Sequence, residues 1–234
     1  MLATNVIIND SLSNLGNGAA GTFDVGFYLS RDAIYQAGTD TVICKRAVSS
    51  LTAGASNPAS GTAQTSCAIP SVPAGAYYTI AVVDADSKII ESNESNNSLA
   101  TTNTLLIGAD ITPTAVSMIK SGKTVYVSDT AKNQGNRNTG KFTVAYFLST
   151  NPTYEAANDL ALANSWNGSG RCIRPVTSLA AGAISNVNNK ACYRPSGVVS
   201  GVNYYILAVD DLDNVIDEYN EGNNFKASSA TIRW

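Results

Sequence analysis

Carboxylates and asparagines crowd one segment of the chain, from Asp84, Asp86 and Lys88 through Glu91, Asn93 and Glu94 to Asn96-Asn97. The same order returns at Asp211, Asp213, Glu218, Asn220 and Glu221, closing on Asn223-Asn224. Oxygen donors at this density are the chemistry of calcium, which takes about six to eight oxygens from carboxylates, amides and backbone carbonyls. With Lys88 as the nearby cation, repulsion among Asp84, Asp86, Glu91 and Glu94 favours a bound cation or raised carboxyl pKa values. Asp84, Asp86, Glu91, Glu94, Asp211, Asp213, Glu218 and Glu221 are therefore candidate calcium ligands, and on this reading added calcium raises the melting temperature by several degrees. The spacing is not that of an EF-hand. A weaker oxygen set is Asp32 and Asp40, with Asn151 and Asp159 further on.

Turn formation competes with calcium for these residues. Asp-Ser and Asp-Asn are hairpin-turn pairs, and short polar side chains satisfy local backbone groups. On that reading Ile89 and Ile216 face a core, and the paired asparagines shape the approach to a last strand with left-handed backbone geometry. A glycosidase pair needs two carboxyls facing each other across a sugar cleft. These lie along one hairpin and occur twice, so they argue against an enzyme.

Other chemistries are narrowed by what is scarce. The chain has no histidine, which removes Ser-His-Asp and Cys-His catalysis and the usual zinc sets. Charged residues are 14 % and the formal net charge is −3, too few and too acidic to neutralise nucleic-acid phosphates or dock on anionic membranes. No apolar run is long enough to span a bilayer. The start, MLATNVIIND, carries neither the charged end nor the apolar stretch of a secretory leader, as expected of a mature or excised piece of a secreted protein. Trp166 stands in a Gly/Ser/Asn insertion of the second half, where an aromatic ring can stack on a glycan, anchor a subunit contact or fold back over the domain. Asn9, Asn96 and Asn167 occupy N-x-S positions.

An internal repeat organises the chain. Asn14-Leu15-Gly16-Asn17 returns as Asn133-Gln134-Gly135-Asn136, and the strand Phe23–Ser30 as Phe142–Ser149, both 119 residues on. Ser50-Leu51-Thr52-Ala53-Gly54 returns as Ser178-Leu179-Ala180-Ala181-Gly182, 128 on, and Asn93–Asn97 as Asn220–Asn224, 127 on. Phe23, Val25, Phe27 and Leu29 alternate with polar or small residues, as do Phe142, Val144, Tyr146 and Leu148, the pattern of a half-buried antiparallel strand. Tyr78, Ile80 and Val82 alternate likewise, echoed by Tyr205, Leu207 and Val209. Val6 and Ile8 correspond to Val125 and Val127. No stretch shows a helical apolar period. The expected fold is all-β: two tandem immunoglobulin-like, seven-stranded antiparallel β-sandwiches over 1–108 and 109–234.

The cysteines follow the repeat. Cys44 and Cys172 lie 128 apart beside matching turns, and Cys67 and Cys192 each precede a proline and a Tyr-Tyr strand. The repeat therefore pairs Cys44 with Cys67 and Cys172 with Cys192, each bridge contributing about 3 kcal/mol in the chain-entropy model. Bridges place the protein in an oxidising compartment.

The form G-x-Y-Y-x-x-A-V-x-D, a D-x-D-N-x-V hairpin and E-x-N-E-x-N-N together resemble the CARDB family, the cell-adhesion-related domain of bacterial and archaeal surface proteins. The N-x-G, F-x-V-x-F-Y-L-S and S-L-x-A-G elements fit the same pattern, and the similarity covers most of both copies. The resemblance implies an immunoglobulin-like sandwich acting as an extracellular spacer or adhesion module, without enzymatic activity, joined to other surface-protein domains or subunits. The cysteines are not part of that pattern.

The two copies differ at their fronts. The second opens with Ala109–Lys120, while the same segment mapped back by 119 residues runs off the front of the chain. The first copy is thus expected to lack its opening strand, through truncation or because another chain donates it. Trp234 follows closely on the last expected strand, leaving no obvious donor tail. Three functions follow: a secreted surface or adhesion module, a subunit of a self-assembling extracellular filament, and a carbohydrate-binding module resting on Trp166.

Overall fold

The computed structural model describes residues 5–234, so the first four residues of the leader argument lie outside the described residues. The chain divides into two compact units. The first holds the described chain up to Val72 together with Ala76–Leu106, and the second holds Pro73–Gly75 and Ile107–Trp234.

The first unit contains β1 (Asn5–Asp10), β2 (Leu12–Ser13), β3 (Phe23–Ser30), β4 (Thr41–Val48), β5 (Ser56–Asn57), β6 (Ala63–Ala68), β7 (Gly75–Val83), β8 (Ser98–Ala100) and β9 (Leu105–Ile107). One sheet runs β4-β3-β7-β8, with β9 also on β7. Facing it are the antiparallel pairs β1-β6 and β2-β5. The inner face buries Ile8, Leu12, Phe23, Val25, Phe27 and Leu51.

The second unit contains β10 (Ile111–Ser121), β11 (Thr124–Asn133), β12 (Phe142–Ser149), β13 (Leu160–Ala161), β14 (Ile173–Val176), β15 (Ile184–Tyr193), β16 (Asn203–Asp210) and β17 (Phe225–Arg233). Its sheets are β10-β11-β15 and β13-β12-β16-β17, with β14 continuing along the β13 edge of β12. Counting β13 and β14 as one edge gives seven strand positions. Gly122, at φ +57°, makes the tight link between β10 and β11, a conformation that costs glycine nothing. The core gathers Ile111, Val125, Val127, Phe142, Val144 and Tyr146. In the first unit β1 pairs with β6, and no counterpart of β10 exists among the described residues.

Two expectations are corrected. β3 and β12 are not half-buried: all but their second residues are buried. The alternating residues chosen on the Tyr-Tyr strands also face outward rather than into the sandwich. Ile80 and Val82 join Tyr28 in an outer cluster, and Leu207 and Val209 join Phe147 in another. The interior instead receives Ala81 and Val83 in the first unit and Tyr204, Ile206 and Ala208 in the second. The reason is a loop over each outer face. Tyr35 packs 4.8 Å from Tyr28, and Tyr154 packs 4.9 Å from Phe147, so both sides of the central strands lie under apolar cover.

Candidate functional site

The acidic hairpin is built the same way in both units. Asp84 follows β7 with φ 50°, and its carboxylate accepts from the backbone N–H of Lys88 (2.9 Å) and of Ile89 (2.8 Å). Asp211, with φ 46°, accepts from Val215 (3.2 Å) and Ile216 (2.8 Å). Ser87 and Asn214 carry the second positive φ of each turn, 52° and 50°. The left-handed geometry expected at the paired asparagines therefore sits at the hairpin instead, and Asn224 has φ −78°. The carboxylates of Asp84 and Asp211 hold the bend, so the strained residues are those whose side chains can bond their own backbone. Ile89 and Ile216 do reach the cores.

Downstream, E-x-N-E-x-N-N forms a clasp. Asn97 Nδ2 donates to Glu91 and, at 3.4 Å, to Glu94, while the Glu91 N–H donates to Glu94 at 2.9 Å. Asn224 donates to Glu218 at 2.6 Å and to Glu221 at 3.4 Å. The Asn97 carbonyl then receives Val83 N–H, and the Asn224 carbonyl receives Asp210 N–H, each at 2.7 Å. Asp86 is taken by Lys45 at 2.5 Å and Lys88 at 3.5 Å. Lys45 chiefly holds its carboxyl below the usual range. Asp213 is mostly exposed, 4.0 Å from Arg171. Among the described residues no three acidic or cysteine side chains converge as a metal group. The weaker oxygen set also caps loops: Asp32 accepts from Ile34, Asp40 from Gln36, Asn151 from Thr153 and Asp159 from Glu155.

Glu218 differs from its fellows. It is buried, and burial lifts its pKa from 4.5 to about 7, against the opposing pull of the Ile111 N–H and the Asn224 amide. The Ile111 N–H donates directly to Glu218 Oε1. Thr112 Oγ1 donates to the Asn223 carbonyl at 3.0 Å, and Asn223 Nδ2 to Asp110 at 2.8 Å. The hairpin thus grips β10.

The Asn-x-Gly element grips it from the other side. Asn133 Nδ2 donates to the Arg137 and Leu179 carbonyls, and its Oδ1 accepts from Gly135 and, at 3.2 Å, from Asp110. A Cβ on Gly135 would stand 2.5–2.6 Å from the backbone of Gly108–Asp110. Asn14 makes the same loop bonds, to Gly18, Leu51 and Gly16.

One device escaped the sequence reading. Arg174 forks onto Asp129 across the second sandwich at 3.2 and 2.5 Å, and the Tyr146 hydroxyl donates to the same carboxylate at 2.6 Å. Burial first, then the Asp129 charge, pushes the Tyr146 hydroxyl above its usual range. Arg46 grips Asp10 likewise, with Asn57 on its other arm at 2.8 Å. Asp10 and Asp129 lie 119 apart, and Arg46 and Arg174 128 apart. Those are the offsets of the repeat, and they were the available signal.

The disulfides are Cys44–Cys67 and Cys172–Cys192, with Cα atoms 5.5 and 5.7 Å apart. Cys44 lies on β4 and Cys67 on β6, so the bridge staples one sheet to the other. Trp166 is 65 % exposed and meets Tyr193 edge-on at 5.9 Å, in a loop braced by Ser165, Asn167 and Ser169.

Two disulfide-stapled sandwiches, each with a capped acidic hairpin and an Asn-x-Gly buckle, define a tandem immunoglobulin-like module. The CARDB family profile matches residues 3–101 and again 104–228, so the chain belongs to the CARDB family of adhesion-type domains. No curated protein matches it. Among solved structures, the CARDB domain of the PF1109 protein from Pyrococcus furiosus, solved in complex with di-metal ions, shares 19 % identity at a TM-score of 0.36, covering 54 % of this chain and 88 % of that one. A domain spanning 272–376, assigned to a cell surface protein of Methanosarcina acetivorans, shares 20 % identity at a TM-score of 0.37, covering 54 % and 91 %.

Proposed function

We propose that the chain is a non-enzymatic structural or adhesion module of an extracellular surface protein, joined to other domains or subunits of that surface. The observation that carries this reading is the duplication itself. Every polar device described above that occurs twice, whether staple, hairpin cap, clasp or Arg–Asp fork, serves to hold strands in place. The disulfides support an oxidising location, and a stiff stapled sandwich suits a spacer that must survive outside the cell.

Protease shaving of intact producing cells, followed by thiol alkylation of the recovered protein, tests this. The expected result is release of the chain from intact cells with no free thiol before reduction and four after. Recovery only from lysed cells, with reactive thiols, would overturn it.

A further inference from the structure

Trp166 and Asn167 stand side by side in a segment that only the second sandwich carries. The repeat offset is still 119 at Tyr35 and Tyr154 and at Asp40 and Asp159, and it is 128 at Cys44 and Cys172, so the extra residues lie between Asp159 and Cys172. They form a tight loop rooted at both ends. Ala163 and Tyr193 exchange backbone hydrogen bonds of 2.9 Å, and the Asn164 N–H donates to the Gly170 carbonyl at 2.9 Å. The Cys172–Cys192 bridge ties the chain just beyond these roots. Gly168 and Gly170, at φ +82° and +69°, turn the backbone between them.

Within the loop, Asn167-Gly168-Ser169 is an N-x-S sequence, the acceptor pattern for N-linked glycans. Asn167 is exposed. Its Oδ1 accepts from the Ser169 N–H at 3.1 Å and hydroxyl at 2.7 Å, with Ser165 Oγ 2.5 Å away. Among the described residues no hydrogen bond engages its Nδ2. Trp166 is exposed although Tyr193 holds its edge. A large apolar ring kept in water by a braced loop costs free energy unless something covers it. The C–H face of a sugar ring is flat enough to lie on an indole.

The other N-x-S positions lack this setting. Asn9 lies within β1, in register with Gln64. Asn93 makes the same turn, its Oδ1 accepting from the Ser95 N–H at 3.0 Å and hydroxyl at 2.6 Å, but its sequence neighbours are Ser92 and Glu94. Asn96 follows on the same hairpin, so both share it with Glu91 and Glu94. Around Asn167 the charge is of the other sign. No Asp or Glu occurs between Asp159 and Asp210, and a Cβ on Gly168 would stand 3.7 Å from the carbonyl of Arg194.

We propose that Asn167 is an N-glycan acceptor and that Trp166 is the platform for its first sugar. Asn167 Nδ2 bonds to the anomeric carbon of a polyprenyl-pyrophosphate-linked oligosaccharide. The bond from that carbon to the phosphate oxygen breaks, the polyprenyl pyrophosphate leaves with the bonding pair, and the amide proton passes to a base of the transferase. A donor carrying phosphate charge meets less repulsion at Asn167 than at the acidic hairpin. Such transfer takes place outside the cytoplasm, so the site rests on the extracellular reading above and deepens it.

The chain shaved from intact producing cells supplies the test. Trypsin cuts after Lys141 and Arg171, and electron-transfer fragmentation of the 142–171 peptide locates any added mass. A glycan on Asn167 is expected, at an occupancy about tenfold above that of Asn93, the low end of what a field of the right sign does for a charged reactant. Asn167→Gln made in the same cells is expected to increase acrylamide quenching of the tryptophan fluorescence, because Trp166 loses its cover. Release from intact cells with Asn167 bare, or with sugar only on Ser165 or Ser169, would overturn the acceptor site and leave the surface reading standing. Recovery only from lysed cells, with free thiols and a bare Asn167, would overturn both. A glycosylated Asn167 whose removal leaves the quenching unchanged would overturn the platform and return Trp166 to a protein contact.

Discussion

In the second sandwich Asn133 and Gly135 hold a strand, whereas in the first Asn14 and Gly16 hold the same loop with no strand beside them among the described residues. The hairpins differ in the same way. Glu218 is buried under β10, while Glu91 is half-buried. The Arg–Asp forks differ in degree, with side chains 8 % and 0 % exposed for Arg174 and Asp129 and 16 % and 9 % for Arg46 and Asp10. Each copy is therefore a control for the other. What survives in the open copy belongs to loop and hairpin architecture, and what differs reports on the strand.

The forks offer the largest test. Removing one partner of a buried ion pair leaves an uncompensated charge and costs about 3–5 kcal/mol. Arg174→Met is expected to destabilise the second sandwich by that amount in urea unfolding, because Asp129 has no route to water. Arg46→Met is expected to cost the first sandwich distinctly less, because Asp10 lines an open groove of that sandwich beside Ile8 and Leu12. Equal losses would break the comparison, since they would mean the open edge leaves Asp10 as dry as Asp129.

Asp210 gives a smaller, pH-dependent test. It is fully buried, neither carboxyl oxygen finds a hydrogen-bond partner, and Val83 is its counterpart in the first sandwich. Burial, then the Asp129 charge, raises its pKa well above 3.8. The folded chain therefore holds a proton that the unfolded chain releases above 3.8, so stability falls as pH rises from there towards the raised value. Glu218 acts with the same sign between 4.5 and about 7. Asp210→Val should accordingly stabilise the second sandwich by about 1–3 kcal/mol at pH 8 and by much less at pH 4. Urea melts at the two values check this. An equal effect at both would show that Asp210 is ionised in the folded protein.

Much of this was legible because the fold is duplicated. The repeat revealed the strands, the disulfide pairing and the lack of a β10 counterpart among the described residues of the first copy, since every match and mismatch came with an internal partner. The interior face of β7 and β16 was not legible, because both faces are apolar and only the Tyr35 and Tyr154 loops explain why. Nor was the site of left-handed backbone. Composition marked the asparagine pairs, but the bend falls where an aspartate can bond two amides ahead of it. The Arg–Asp forks join residues 36 and 45 positions apart, a pairing that no local spacing shows.

The acidic hairpin yields the smallest expected effect and the strictest comparison, because its capping aspartate and its glutamate–asparagine clasp recur in both copies. A calcium ion needs about six to eight oxygens at roughly 2.3–2.6 Å. Asp84 and Asp211 each direct both carboxylate oxygens to backbone amides, and Asn97 and Asn224 hold the glutamates in their clasps. Asp86 is held by two lysines, so a cation there would have to displace Lys45 and Lys88. Binding would thus trade bonds that hold each hairpin for bonds to the ion. Neither millimolar calcium nor EDTA is therefore expected to move the melting temperature of either sandwich. A rise of several degrees in differential scanning calorimetry would show that the hairpin rearranges around the ion. A rise in the second sandwich alone would tie that rearrangement to the strand held by Glu218.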